Sequence, residues 1–211
     1  MDFNDSQQEA AFRKEARDFL EANAEKRSII SDKPNDKNPQ IAVAGAPETV
    51  KGGKEAAQEA LERAKVWQKK KAEAGFAAIL WPKEFGGYGG SPIQQVIYSQ
   101  EEHDYLVPSG YFEIGIGMLG PTMMVWGKDE DKKRYLPKMI TGEEIWCQLF
   151  SEPSAGSDLA GIKMKAEKDG DEWVLNGQKV WTSGAHFADY GMIVARSDPS
   201  ALKHKGLTYF Y

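Results

Sequence analysis

The chain has 211 residues, of which 41% are hydrophobic and 28% charged, a composition that fits an ordinary soluble globular protein and excludes collagen-like, coiled-coil and disordered classes. Its 27 Lys and Arg against 32 Asp and Glu leave a net charge of -5, too acidic for a dedicated binder of nucleic acid. A lone cysteine, Cys147, and three scattered histidines, His103, His186 and His204, offer neither an internal disulfide nor a metal cluster, which fits a reducing, metal-free setting.

The longest uncharged run, Ile114 to Gly127, is too short to span a bilayer. The charged N-terminus lacks the apolar stretch of a signal peptide, so a cytoplasmic protein with no membrane span is expected. Ser6 followed by Glu9 forms a capping box, and Phe12, Ala16, Phe19 and Leu20 recur on one helical face, predicting a helix over about 6–24. From Ser28 to Gly53 the prolines and glycines predict a long exposed loop, read as a mobile insertion rather than a functional excursion. Lys54 to Ala74 reads as a second helix, with Gly75 at its C-terminal cap. Ser91-Pro92 with Gln94 starts a third, running to about Tyr105. Tyr111 to Trp126 is apolar enough for a buried helix despite its glycines, and a short charged helix begins over Asp129 to Tyr135.

Beyond Gly142 the period changes. The runs IKMKAEK, DGDEW, EWVLN, GQKVWTS, YGMIVAR and GLTYFY are short, with alternating, β-branched or aromatic content, and read as strands. Asp169-Gly170 lies between two of them, and Asn176-Gly177 signals a type I′ turn between the next two. The expected fold class is α+β, with an all-α helical domain over 1–142 followed by an incomplete antiparallel β domain over 143–211. The sheet has few internal partners, and the chain reads as ending in mid-domain.

Several patterns invite a chemical reading. Gly115-x-Gly117-x-x-Gly120 matches the dinucleotide fingerprint, but Pro121 follows directly and Gly127 ends the segment within two turns, which leaves no long crossover helix, so a packed glycine-rich helix is the better reading. Gly86-Gly87 and Gly89-Gly90 around Tyr88 lack the Lys-Ser/Thr ending of a phosphate loop and read as a plain turn. Glu101-Glu102-His103 is better read as a charged helical face than as a metal site. The segment WCQLFSEPSAGSDLAG (146–161) offers small residues and hydroxyls, Ser151 and Ser157 among them, that suit either a ligand-lining loop or a structural turn. In NGQKVWTSGAHFAD (176–189), Trp181 and Ser183 share one face of a predicted strand. An aromatic face beside a hydroxyl suits a conjugated ring with an acceptor nitrogen, and a core tryptophan is the alternative.

Taken together, LFSEPSAGSDLAG, GDEWVLNGQKVWTSGAHFAD and the trailing ARSD resemble the first β-domain segments of flavin-dependent acyl-CoA dehydrogenases, in order and spacing. MDFNDSQQEAAFRKEARDFL, AEAGFAAILWPKEFGGYGG, LGPTMMVWG and YLPKMITGEE resemble that family's N-terminal helical domain more loosely. The loop over 28–53 resembles an insertion found in some bacterial members.

The resemblance implies FAD as cofactor, an acyl-CoA thioester as substrate, an electron-transfer flavoprotein as electron acceptor, and a homo- or hetero-oligomer working in fatty acid and lipid metabolism. It implies that Gln148, Phe150 and Ser151 lie along the flavin edge, with Gln148 standing where some members carry an aromatic residue. Gly156 and Ser157 match the turn beside the flavin, where the serine also reaches the acyl-CoA. Trp181 matches the tryptophan flanking the ring, and Ser183 the hydroxyl that approaches N5. The family's reaction gives the 2-enoyl-CoA, and its glutamate base belongs to the last helical domain, so no catalytic residue is assigned in this chain. Glu152 belongs to the flavin-side turn in the matched motif. Other activities in view are a flavin oxidase or monooxygenase of the same superfamily, and a non-catalytic partner subunit of a heteromeric enzyme.

Overall fold

In the computed structural model, which describes residues 4–27 and 53–211, Ser6 caps α1 (Gln7–Asn23). Its hydroxyl accepts from the Glu9 amide at 3.3 Å while the Glu9 carboxylate accepts from the Ser6 amide at 2.7 Å. Such a cap contributes about 1 kcal/mol. The chain divides into two compact units, Met1–Glu143 and Glu144–Tyr211. The first is rich in helix, and the second is a partial β sheet.

In the first unit, α1 buries Phe12, Ala16 and Leu20, the apolar face read from the sequence. The short strand β1 (Glu25–Lys26) pairs antiparallel with β2 (Tyr105–Leu106). The expected loop over 28–53 lies outside the described residues apart from Gly53, which begins α2 (Gly53–Glu73). Gly75 follows with φ 84°, a left-handed conformation that glycine adopts without strain. A second capping box, Ser91 with Gln94, starts α3 (Pro92–His103), which stops before Tyr105 because Tyr105 and Leu106 join the two-stranded ribbon. Phe12 and Ala16 of α1 pack with Phe76, Ile79 and the α3 residues Ile97 and Tyr98, and Phe76 stacks on Tyr98 at 4.9 Å.

Glu101 fixes α1 to α3. Its carboxylate accepts from Arg17 Nε and Nη2 at 2.9 Å each and from Arg13 Nη1 at 3.0 Å. The hydrogen bond from Arg17 is the main cause that holds its carboxyl below the usual range, in spite of burial. The acidic pair before His103 is thus partly structural.

The helix expected over Tyr111 to Trp126 is present in altered form, as a π-helical turn (Gly115–Leu119) that runs into α4 (Gly120–Trp126). The Gly120 amide bonds the Gly115 carbonyl five residues back, and Pro121 has no N–H with which to continue a regular ladder. Trp81 completes the arrangement by donating from Nε1 to the Ile116 carbonyl at 2.8 Å, and a side chain at Gly120 would overlap its indole. α5 (Asp129–Thr141) extends beyond the charged run and ends at Gly142, whose φ of 76° is left-handed.

In the second unit the strand order is β3-β6-β4-β5, with β7 also on β6. β3 (Trp146–Leu149) runs parallel to β6 (Tyr190–Arg196), in register from Trp146 opposite Tyr190 to Leu149 opposite Ile193. β4 (Lys165–Asp169) and β5 (Glu172–Asn176) form an antiparallel hairpin, and β7 (Leu207–Phe210) is antiparallel to β6. The sheet is therefore mixed, which corrects the antiparallel expectation. The chain between β3 and β6 contains a whole hairpin, long enough to cross back and start β6 in the same direction as β3.

Gly170, with φ 60°, turns the β4–β5 hairpin as expected. The second expected hairpin is absent, and GQKVWTS is not a strand. Gly177 has φ 157°, far from a type I′ turn, and a side chain there would meet the Met164 main chain at 2.9 Å. That glycine serves close passage of two chain segments instead of a reversal. Ala155, Ile162 and Val194 form a buried cluster with Phe150, Leu159, Leu207 and Tyr209 around it. Arg196 explains part of the ARSD run. Its guanidinium donates to the carbonyls of Ala160, Ile162 and Lys203, fastening two short 3-10 turns to the sheet. Among the described residues no helix is long and apolar enough to cross a membrane.

Candidate functional site

The site residues named from the sequence all lie in the second unit, on two stretches that the fold brings together. β3 ends at Leu149, and the chain continues through Phe150 and Ser151 into a tight turn. There Glu152 and Ala155 exchange main-chain hydrogen bonds of 2.8 and 3.1 Å. The other stretch, Gln178 to Ser183, leaves the end of β5 without strand pairing. Its Val180 amide donates to the Ser151 carbonyl at 2.9 Å, which sets Ser151 beside the residue that precedes Trp181.

Beneath this junction lies an ion pair that sequence reasoning missed. Glu152 Oε1 accepts from Lys179 Nζ at 3.0 Å and from the Met164 amide at 2.9 Å, and Oε2 accepts from the Lys163 amide at 2.7 Å. Lys179 Nζ also donates to the Phe150 carbonyl at 2.9 Å. The two side chains are only 6% and 5% exposed. Burial is the largest single influence on the Glu152 carboxyl and pushes its pKa up. The three hydrogen bonds and the lysine charge together outweigh it and leave the pKa lowered. In the sequence Lys179 looks like the polar position of an exposed strand. Its only signal was the acidic residue that ends the strand-like run 27 positions earlier.

The candidate residues differ in what they present. Gln148 sits on β3 opposite Met192, half-buried. The Phe150 ring packs edge-on against Tyr209 at 6.5 Å, so much of it belongs to the core cluster. Ser151 is half-buried, while Gly156, Ser157 and Ser183 are exposed. Among the described residues none of these three serine hydroxyls has a hydrogen-bond partner. A side chain added at Gly156 would meet nothing within 4 Å, so no internal packing demands glycine there.

Trp181 is the most telling residue. It is 89% exposed, and its φ of 56° puts a bulky residue in the left-handed region. That conformation costs an ordinary residue roughly 1–2 kcal/mol. The expected shared strand face with Ser183 does not form. Trp181 is followed instead by a compact turn in which Ala185 bonds Thr182, and Phe187 and Ala188 bond Gly184. Among the described residues the indole packs into no core. An indole displayed in strained backbone, an open glycine and unpartnered hydroxyls together fit a flat, conjugated ligand with polar edges.

The glycine-rich motifs of the first unit behave in the opposite way. The amides of Gly87, Tyr88, Gly89 and Gly90 donate to the carbonyls of Pro82, Ala78, Trp81 and Ile79, so none is left for a phosphate. A side chain at Gly87 would overlap the Trp81 carbonyl. Gly115, Gly117 and Gly120 belong to the π turn and α4, and the strand before them, the two-residue β2, already ends at Leu106. Among the described residues no three His, Cys, Asp or Glu are grouped as metal ligands.

Comparison with known proteins gives these features a context. Residues 6–143 match the family model described as acyl-CoA dehydrogenase, N-terminal domain, and residues 147–211 match that of the middle domain. The chain is 40% identical over 158 residues to acyl-CoA dehydrogenase IpdE1 of Mycobacterium tuberculosis, covering 75% of this chain and 41% of that protein. It is 46% identical over 139 residues to acyl-CoA dehydrogenase FadE34 of the same organism, covering 66% of this chain and 19% of that one. Among solved structures it resembles the Tcur3481-Tcur3483 steroid ACAD, with a TM-score of 0.74 at 32% identity over 99% of this chain and 48% of that one. The ChsE4-ChsE5 complex from Mycobacterium tuberculosis follows with a TM-score of 0.69 at 31% identity, covering 99% and 47%. The chain thus spans less than half the length of these relatives. With two family models matched end to end along a helical unit and a partial sheet, the chain belongs to the acyl-CoA dehydrogenase family.

Proposed function

We propose that this chain contributes the helical domain, residues 1–142, and part of the β domain, residues 143–211, of an FAD-dependent enzyme that converts an acyl-CoA thioester to its 2-enoyl-CoA. The observation that carries this reading is Trp181, an exposed indole held in a left-handed conformation next to Val180, whose amide bonds Ser151, with a Ser183 hydroxyl that has no partner among the described residues. When bound, FAD supplies the hydride acceptor. Trp181 offers the isoalloxazine a flat apolar face, Gly156 leaves room for close approach, and Gln148, Phe150 and Ser151 line the edge. On this reading Ser157 serves both cofactor and thioester, and the Ser183 hydroxyl is directed toward the accepting nitrogen. Glu152 is not the base that takes the substrate's α proton, because both of its oxygens are already engaged by three donors in a buried site. That proton is removed by a group outside the residues assigned here.

The reading places the protein in the cytoplasm, with an electron-transfer flavoprotein as acceptor and fatty acid or lipid breakdown as its setting. Assembly with another subunit is favoured by a structural relative named as a complex of two chains. The test is anaerobic mixing of the flavin-loaded full-length enzyme to which this chain contributes with acyl-CoA esters, following loss of flavin absorbance. Bleaching is expected, with Ser183→Ala slowing it by about tenfold while substrate affinity changes little, less than a fully buried oxyanion donor is worth. No bleaching with any acyl-CoA would reject the reading.

A further inference from the structure

We infer that the buried Glu152–Lys179 pair is a positioning element that presets the flavin-facing surface, holding the segment that carries Trp181 and Ser183 against Ser151. This deepens the FAD reading and rests on it. The pair joins three stretches of chain: the end of β3 through the Phe150 carbonyl, the entry to β4 through the amides of Lys163 and Met164, and the 178–183 segment through Lys179 itself. That last segment has no strand partner among the described residues. Between Gln178 and Trp181 it is fastened by the Val180 amide on the Ser151 carbonyl and by Lys179. Two residues beyond Lys179 stands Trp181, whose exposed ring has no packing of its own to fix its direction.

A buried ion pair adds little net stability over an apolar pair of the same volume. What it supplies here is a single geometry, because the carboxylate meets donors from three directions and the ammonium meets two acceptors in known places. A ligand that finds its platform already in place does not have to order it on binding, so its affinity is greater. Lys179 bonds the Phe150 main chain, and neither Lys179 nor Glu152 is assigned a contact with the ligand itself, so the pair acts through Phe150, Ser151 and Trp181.

The experiment is a double-mutant cycle on the full-length protein. It combines the charge-free pair Glu152→Gln with Lys179→Met and, separately, Trp181→Ala, measuring FAD affinity by flavin fluorescence and amide exchange over 178–183 without flavin. Removing the pair should weaken FAD binding about tenfold and speed exchange over 178–183, with the melting temperature of the protein nearly unchanged. Trp181→Ala added to the charge-free variant should cost much less than it does alone, since the pair acts through that ring. Additive effects, or unchanged affinity and exchange, would overturn the proposal. Should the charge-free variant fail to fold, Lys179→Arg, which keeps the charge, must restore folding and at least half of the FAD affinity, and failure to do so would also overturn it. The exchange measurement needs no flavin. A parent protein that does not bind FAD therefore refutes the FAD reading alone, while unchanged exchange refutes the positioning role.

Discussion

Two loops rich in small residues, one in each unit, look alike as strings of letters and differ in where their donors go. In the first, Gly86 to Gly90, each amide from Gly86 to Gly90 is bonded to a carbonyl of residues 78–83, and Gly87 exists because Trp81 lies against it. In the second, Gly156 has open space around it, the nearby serine hydroxyls have no partner among the described residues, and an exposed tryptophan is held in strained backbone. A loop closed on itself is structure. A loop whose polar groups and aromatic surface are left open is prepared for something else. Glycine content distinguishes neither case, and the hydrogen-bond inventory distinguishes both.

The contrast can be broken most forcefully at the two glycines. Gly87→Ala forces a side chain into the Trp81 main chain and should destabilise the helical unit by about 3 kcal/mol, the upper end for overpacking. Gly156→Ala should leave stability within about 0.5 kcal/mol, as for surface substitutions, while weakening flavin binding. Chemical denaturation of both variants checks this, and equal losses would erase the distinction. Trp181→Gly sharpens it further. Removing the side chain relieves the positive φ and should raise stability by up to about 1 kcal/mol, while FAD affinity falls roughly tenfold for want of an aromatic neighbour. A variant that loses stability would show the indole to be packed instead of displayed.

A smaller effect comes from the ion pair beneath the second loop. The Glu152 carboxyl ionises more readily in the folded protein than in the unfolded chain. Its contribution to stability is therefore complete above the ordinary carboxylate range and is lost as pH falls through the lowered folded value. Glu152→Gln should flatten the acid limb of a stability-against-pH curve for the β unit. An acid limb unchanged from the parent would mean that Glu152 is not among the groups that set it.

Much of the fold was legible from residues that act locally. The two capping boxes, Gly75, Gly142 and the Gly170 turn follow from hydrogen-bond and backbone rules that need only a few neighbouring positions. What failed depended on distant partners. Asn176-Gly177 carries a strong turn signal, yet Met164 claims the space beside Gly177 and the second strand of the hairpin never pairs. The parallel pairing of β3 with β6 could not be read, because strand direction depends on the path of the chain between them. The same holds for the site. Ser151, Gly156, Ser157, Trp181 and Ser183 carry a family pattern visible as letters, whereas Lys179 gains its meaning only from a carboxylate 27 positions away.

Amide hydrogen exchange on the flavin-loaded and flavin-free protein tests the contrast between the two loops most directly. Added FAD should slow exchange over 150–157 and 178–183 and leave 86–90 and 115–120 unchanged. Protection confined to the glycine-rich segments of the helical unit, with none over 150–157 or 178–183, would contradict it.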